Sequence, residues 1–337
     1  MSVQEYETRF IKTLNGLCGS RHKWQVFSDF LELAAIAQHN APYTVGDFPK
    51  DETYEALEAQ YLERAKRYSR EELQGMAELM ALTTLAHREA FGDFLGEIAS
   101  EQGLLNQDGG QFFTPYDLCR LMAKMTLGNV RPMVEKKGLI TIDEPACGGG
   151  ALVIAAAEEM YHQQIDPRSC AQFQCTDVSR DAFNMCYLQL ALQGLQAIFY
   201  HGNTLTLDLW ESRPTPQLRY FNEWLQERQQ LARLESLKTL FTDPETFFAA
   251  REAEDEQQEE ETAEAIASNQ TPSPAINTAA VVLGTSGTEE QMSIFAIEPV
   301  NDHNPAVDKS KRQRPKPDII LPSAEQMSLF GNDQEQG

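Results

Sequence analysis

The residues best suited to chemistry sit in one run, Asp143-Glu-Pro-Ala-Cys-Gly-Gly-Gly-Ala-Leu152. Successive glycines let a backbone pass close to a ligand and expose amides at the start of the following helix. Such a turn suits several nucleotide cofactors, and it equally suits a structural connection between strand and helix. The dinucleotide fingerprint GxGxxG is absent, which argues against a nicotinamide site, and so is the phosphate-cradling GxxxxGK[ST]. Further along, Asp177 ends the next predicted strand. A carboxylate there can accept both ribose hydroxyls of a nucleoside, or it can cap the helix that follows.

The elements that must position these residues read as strands at 139–143, 173–176 and 197–200, alternating with helices at 151–161 and 180–193. That alternation argues for a parallel α/β sheet, with only three strands where a complete doubly wound domain needs more. Thr114-Pro115 predicts the start of a helix over 118–125, with Pro at its first position. Residues 1–105 read as a helical domain, on the spacing of Trp24, Phe27, Phe30, Leu31, Leu33 and Ala34 and of Leu57, Tyr61, Leu62 and Ala65. Asn40 to Pro49 predicts the turn between its first two helices, and 70–100 reads as one further helical segment. Residues 106–210 form the predicted cofactor domain and 211–262 an acidic helical segment. In 263–337 Ser, Thr, Pro, Asn and Gln dominate, so too little apolar surface exists to offset ordering, and disorder is expected.

The formal net charge of −23 argues against a broad DNA-coating surface, though not against a local one. The six cysteines show no CxxC pair and no His-rich spacing, so no metal site is expected and the thiols read as reduced. With no signal segment and no apolar run of about 18 residues, the expectation is a cytoplasmic protein without a membrane contact.

Glu144-Pro-Ala-Cys-Gly-Gly-Gly150 resembles the [DE]PACG[ST]G motif of adenine-N6 DNA methyltransferases, notably the modification subunits of type I restriction systems. Gly110-Gln-Phe-Phe-Thr-Pro115 resembles that family's G-x-[FY]-[FY]-T-P segment, and 184–194 resembles its A-x-x-N-L-x-L-x-G helix. Gly202-Asn-Thr-Leu205 resembles its G-D-[ST]-L, with Asn203 in place of Asp and, earlier, Gly149 in place of Ser or Thr. The resemblance implies a truncated class I, Rossmann-like sheet that binds S-adenosylmethionine. It implies that Gln111, Phe112, Phe113, Thr114 and Pro115 line the methionine end. Glu144, Pro145, Ala146, Cys147, Gly148 and Gly150 would form the cofactor turn, Asp177 would take the ribose and Asn203 the adenine, its amide offering both donor and acceptor.

The family methylates an exocyclic amine through an [ND]PP[YF] turn that accepts hydrogen bonds from the amine and stacks on the flipped base. No [NDS]PP occurs anywhere in the sequence; Asp243-Pro-Glu245 and Asn304-Pro-Ala306 come nearest and read as turns or caps. The catalytic residues are therefore unassigned. The expectation is cofactor binding without efficient adenine methylation by this chain alone, so that an enzyme would need a specificity or catalytic partner subunit. A non-catalytic scaffold or sensor, and methylation of a substrate other than DNA, remain open. A fourth strand ending in an aromatic turn within 205–230 favours the enzyme; continuous helix favours the scaffold.

The tail repeats itself: Glu290-Gln-Met-Ser-Ile-Phe295 and Glu325-Gln-Met-Ser-Leu-Phe330 differ only in Ile for Leu. This form resembles the peptide by which bacterial polymerases and repair proteins bind the replicative sliding clamp. The resemblance implies that Gln291, Ile294 and Phe295, and Gln326, Leu329 and Phe330, engage the clamp, placing the protein at the nucleoid with DNA as a direct or indirect partner. The copies begin at 290 and 325, a flexible reach of roughly 30–35 Å, enough for avidity on a ring. Between them Lys309-Ser-Lys-Arg-Gln-Arg-Pro-Lys316 reads as a solvated charge run or a phosphate contact.

Overall fold

The computed structural model describes residues 2–105 and 113–242, together with the backbone of 284–286 and 289–293. The N-terminal region is helical, with polar caps marking its starts. In α1 (Val3–Cys18) and α4 (Arg70–Glu89), Ser2 and Ser69 exchange hydrogen bonds with Glu5 and Glu72 in reciprocal caps. Their apolar faces close over a core in which Phe10 meets Phe30 and Phe94 edge-on, at 5.6 and 5.7 Å between centroids.

Two helix boundaries differ from expectation. The turn predicted from Asn40 begins later, because α2 (Lys23–Val45) continues through Asn40 and Pro42 and stops at Gly46, whose φ is 92°. His39, Asn40, Pro42 and Tyr43 are all buried in that last stretch, so packing outweighs the donor that Pro42 lacks. The Gly46 N–H then closes onto the Pro42 carbonyl. The segment predicted over 70–100 breaks into α4 and α5 (Phe94–Glu101) at Asp93, whose carboxylate accepts the Gly96 N–H at 3.1 Å. Between α2 and α4, α3 (Glu52–Ala65) starts at the capping Asp51.

The α/β part follows. α6 (Tyr116–Leu127) has Pro115 as its cap rather than inside its first turn, and a short α7 (Arg131–Lys137) leads to β1 (Ile140–Glu144). Then come α8 (Ala151–His162), a single turn α9 (Pro167–Cys170), β2 (Ala171–Asp177), α10 (Arg180–Leu192) and β3 (Gln196–Asn203). The three strands are parallel in the order β3-β2-β1. Ile142, Phe173 and Phe199 from them pack with Val153, Tyr187 and Leu190 from α8 and α10 in one core. Met185 and Leu188 on α10 belong to the core of the N-terminal helices.

The sheet has more than three strands. β4 (Asp208–Pro214) runs antiparallel to β3, and its alternation of exposed and half-buried positions marks an edge. Its polar sequence hid it from periodicity. On the far side β6 (Glu289–Ser293) pairs parallel to β1, Thr141 opposite Gln291 and Ile142 opposite Met292. β5 (Gly284–Ser286) lies antiparallel beyond it. The rest of 263–337 lies outside the described residues. A helix, α11 (Pro216–Thr242), follows β4. The part of α11 from Phe221 to Thr242 falls in a second unit, where Arg228 stands 5.4 Å over the Trp224 ring. Among the described residues no helix is long and apolar enough to cross a membrane.

Candidate functional site

The turn between β1 and α8 bends at two left-handed positions, Gly148 (φ 54°) and Gly150 (φ 100°). A side chain at either would be strained. Gly149 is constrained by space instead: a Cβ there would stand 3.0 Å from Met185 Sδ and 3.1 Å from Phe113 Cε2. That crowding accounts for glycine where the resembling motif has Ser or Thr.

Anchors on three sides fix the turn. The Cys147 N–H donates to the Thr176 carbonyl at 3.0 Å, and the Gly148 N–H to Asp177 Oδ2 at 2.8 Å. Gln189 on α10 donates to both the Gly149 carbonyl (2.8 Å) and Asp93 Oδ1 (2.7 Å), and its own oxygen accepts the Leu95 N–H. The turn is thereby bolted to the break between α4 and α5. Asp93, Gln189 and Met185 were not found from the sequence.

Beside the turn opens a cleft lined by Phe113, Thr114, Glu144, Ala146, Cys147, Gly148 and Gly149, with Cys119, Met122, Ala151 and Leu152. The structure thus brings most of the expected methionine-end and turn residues together. Pro115 begins α6 next to them, while Gln111 and Phe112 lie outside the described residues. Pro145 accepts a hydrogen bond from Thr204 Oγ1 at 2.6 Å, which ties the end of β3 to the turn.

Glu144 is 1% exposed; its Oε1 accepts the Ala146 N–H at 3.1 Å, and its Oε2 has no partner. Burial drives its carboxyl up to about 8, against the lowering effect of that amide. Asp177 is raised by burial too, opposed by the amides of Ser179 and Gly148. Each Asp177 oxygen already accepts one amide, leaving further lone pairs for a ligand. Val178, apolar yet exposed, follows it directly and offers an apolar surface beside that carboxylate. Asn203 serves its own turn, its Oδ1 accepting the N–H groups of Leu205 and Thr206.

Residues 87–224 match the N-6 DNA Methylase family. The stretch spans both the Asp93 break and the glycine turn. Over 129 residues the chain is 24% identical to the type I restriction enzyme MpnII methylase subunit of Mycoplasma pneumoniae, covering 36% of this chain and 22% of that one. It thus spans about a fifth of the length of that curated relative. Among solved structures it is similar to the methyltransferase subunit of a type I restriction-modification system from Streptococcus thermophilus. That likeness has a TM-score of 0.34 and 15% identity, over 62% of this chain and 60% of that one. A class I S-adenosylmethionine-dependent methyltransferase from Listeria monocytogenes gives 0.28 and 17%, over 54% of each chain. The chain therefore resembles the methylases of type I restriction-modification systems over its α/β part.

No aromatic [ND]PP[YF] turn stands in 205–230. The fourth strand there is the antiparallel β4, and helix α11 follows it, so the stretch is neither a catalytic strand nor continuous helix.

Proposed function

We propose that the cleft binds S-adenosylmethionine and that the chain is the cofactor-binding part of an adenine-N6 DNA methylation system. The buried, unpartnered Oε2 of Glu144 beside the glycine turn carries this reading. A lone buried acceptor calls for a cationic donor, and the methionine end of this cofactor has an ammonium group. The side-chain-free backbone at 148–150 and the Asp177 carboxylate suit the rest of the molecule. When bound, the cofactor supplies an electrophilic methyl group. The chain's own contribution is to orient it: Glu144, Phe113 and Thr114 at one end, Gly148 and Asp177 towards the ribose, Asn203 and Val178 at the base.

In this reading a partner subunit supplies the base-binding turn, since the sequence contains no [ND]PP[YF]. The tail tethers the assembly to the sliding clamp through Gln291, Ile294 and Phe295, and Gln326, Leu329 and Phe330. Of these only the backbone of Gln291 lies within the described residues. Calorimetric titration with S-adenosylmethionine tests the first claim, and absence of binding refutes it. A labelled-methyl assay on DNA tests the second, because methyl transfer by the purified chain alone removes the need for a partner. Clamp pull-down with Phe295→Ala and Phe330→Ala, singly and together, tests the third; undiminished capture in the double variant rejects it.

The alternative is a scaffold that retains the cofactor fold without chemistry, a reading supported by the absence of an [ND]PP[YF] turn from the sequence. Binding of the cofactor without methyl transfer in any combination of partners selects it.

A further inference from the structure

The carboxyl ends of β2 and β3 carry an apolar rim. Val178 lies just past β2, Leu205 and Leu207 just past β3, and Trp210 near the adjacent start of β4, all four exposed. In open α/β sheets ligands bind outside the carboxyl ends of the strands, so this rim borders the site. Trp210 is the member that the structure holds in place. The β3–β4 register shifts there: His201 pairs with Glu211 and Gly202 with Leu209, which leaves Trp210 as the extra residue of a bulge. Bulges re-aim a side chain. Gly202 permits this one, since a Cβ on it would stand 2.5 Å from the Asp208 carbonyl oxygen. Next to Trp210, Glu211 is paired with both Arg180 and Arg213, which ties the strand to α10 at Arg180.

The indole meets the His201 ring edge-on, at 4.8 Å between centroids. His201 Nε2 donates to the Val178 carbonyl at 3.1 Å, and His201 stands opposite Asp177 in the β2–β3 ladder. A continuous row therefore runs from the acid at the ribose position, through Val178 and His201, to Trp210. At the end of that row the indole is 56% exposed, over half of it open to solvent.

We propose that Trp210 forms the base-binding wall at the nucleoside end of the site, taking the adenine ring of the ligand whose ribose Asp177 holds. A base leaving that ribose passes along Val178 and reaches the indole next. An aromatic side chain offers a flat heterocycle its face or its edge, and covering a half-exposed indole removes apolar surface from water. A base presented for methylation would instead have to approach the methionine end, beside Phe113 and Glu144. The link to Asp177 and Val178 thus assigns Trp210 to the bound ligand's own base. The proposal rests on the cofactor reading and adds to it a determinant of affinity and specificity on β4, a strand outside every motif that carries the resemblance.

The test uses the full chain and two readouts. Calorimetry titrates S-adenosylmethionine and adenosine into the parent, Trp210→Ala and Trp210→Phe. Loss of the ring should weaken both ligands alike, by about tenfold, with affinity largely restored in Trp210→Phe and an unchanged urea midpoint in all three. In a chain carrying Trp24→Phe and Trp224→Phe, Trp210 is the remaining tryptophan. Adenosine should quench its fluorescence with the same midpoint that calorimetry gives. Parental affinity in Trp210→Ala, or fluorescence unaltered at saturating adenosine, overturns the proposal and leaves the cofactor reading intact. Adenosine that quenches Trp210 in a chain that does not bind S-adenosylmethionine removes the cofactor reading and keeps the base site. Binding of neither removes both.

Discussion

Glu144→Gln is the substitution whose outcome the structure constrains most tightly. The carboxyl ionises at about 8 in the folded chain, against about 4.5 when exposed, because burial penalises its charge. A carboxyl whose pKa rises on folding binds its proton more tightly in the native state. Its contribution to stability is therefore full below about pH 4.5 and is lost as pH climbs towards 8. At roughly 1.4 kcal/mol per pH unit, the loss across that window is of the order of 5 kcal/mol. Glutamine keeps an oxygen for the Ala146 N–H and carries no charge to desolvate. The variant should match the parent in urea denaturation at pH 5 and exceed it progressively up to pH 8. If the two denaturation midpoints differ by the same amount at every pH from 5 to 8, Glu144 ionises normally and the reasoning fails. The same carboxyl makes cationic ligands proton-linked: at pH 7 an ammonium group in the cleft ionises Glu144 and releases a proton. Calorimetry in buffers of different ionisation enthalpy counts that proton, and Glu144→Gln should abolish the count.

Three further outcomes follow from the site and its supports. Gly149→Ala forces a Cβ against Met185 and Phe113 and should cost about 1–3 kcal/mol in thermal or urea denaturation, with weakened cofactor binding by calorimetry. Gln189→Leu removes the donor shared by Asp93 and the Gly149 carbonyl and the acceptor of the buried Leu95 N–H; losing these bonds should cost about 1–3 kcal/mol, again read in urea. His87 is buried and held neutral, its pKa lowered to about 4 by desolvation. Its folded pKa lies below the unfolded one, so the neutral form's stability is present above about pH 6.5 and drains away as pH falls to 4. Denaturation of His87→Leu should show a shallower loss of stability over that interval than the parent.

The three parallel strands and the helices after the first two were legible because their apolar runs are long and the glycine turn sits between them. Asp177 was legible as a strand-end acid. What escaped notice escaped for separate physical causes. β4 turns Asp208, Trp210 and Ser212 to solvent and carries charged Glu211 and Arg213 on its inner side, so no apolar alternation announces it. Asn40 and Pro42 gave a genuine local turn signal, which burial of that stretch of α2 overrode. The bridge from Asp93 to Gln189 joins residues 96 apart in sequence, beyond any local pattern. Glu144 was recognised through its motif, but its missing partner is a property of the cleft alone.

The two edges of the sheet have different futures. β4 closes the β3 side: its Arg213, buried to 2% exposure, bonds to Asn184 and Glu211 and lies over the rings of Phe183 and Tyr187. In topological terms the parallel sheet is monovalent, able to grow only outward from β1. That single valence is taken by 289–293, which holds the opening residues of the first repeated peptide. Any strand that pairs directly with the open side of β1 must displace it, and a backbone engaged in that ladder is withheld from other pairing. The sequence carries the same peptide a second time, at 325–330, so pairing of the first copy does not exhaust the motif.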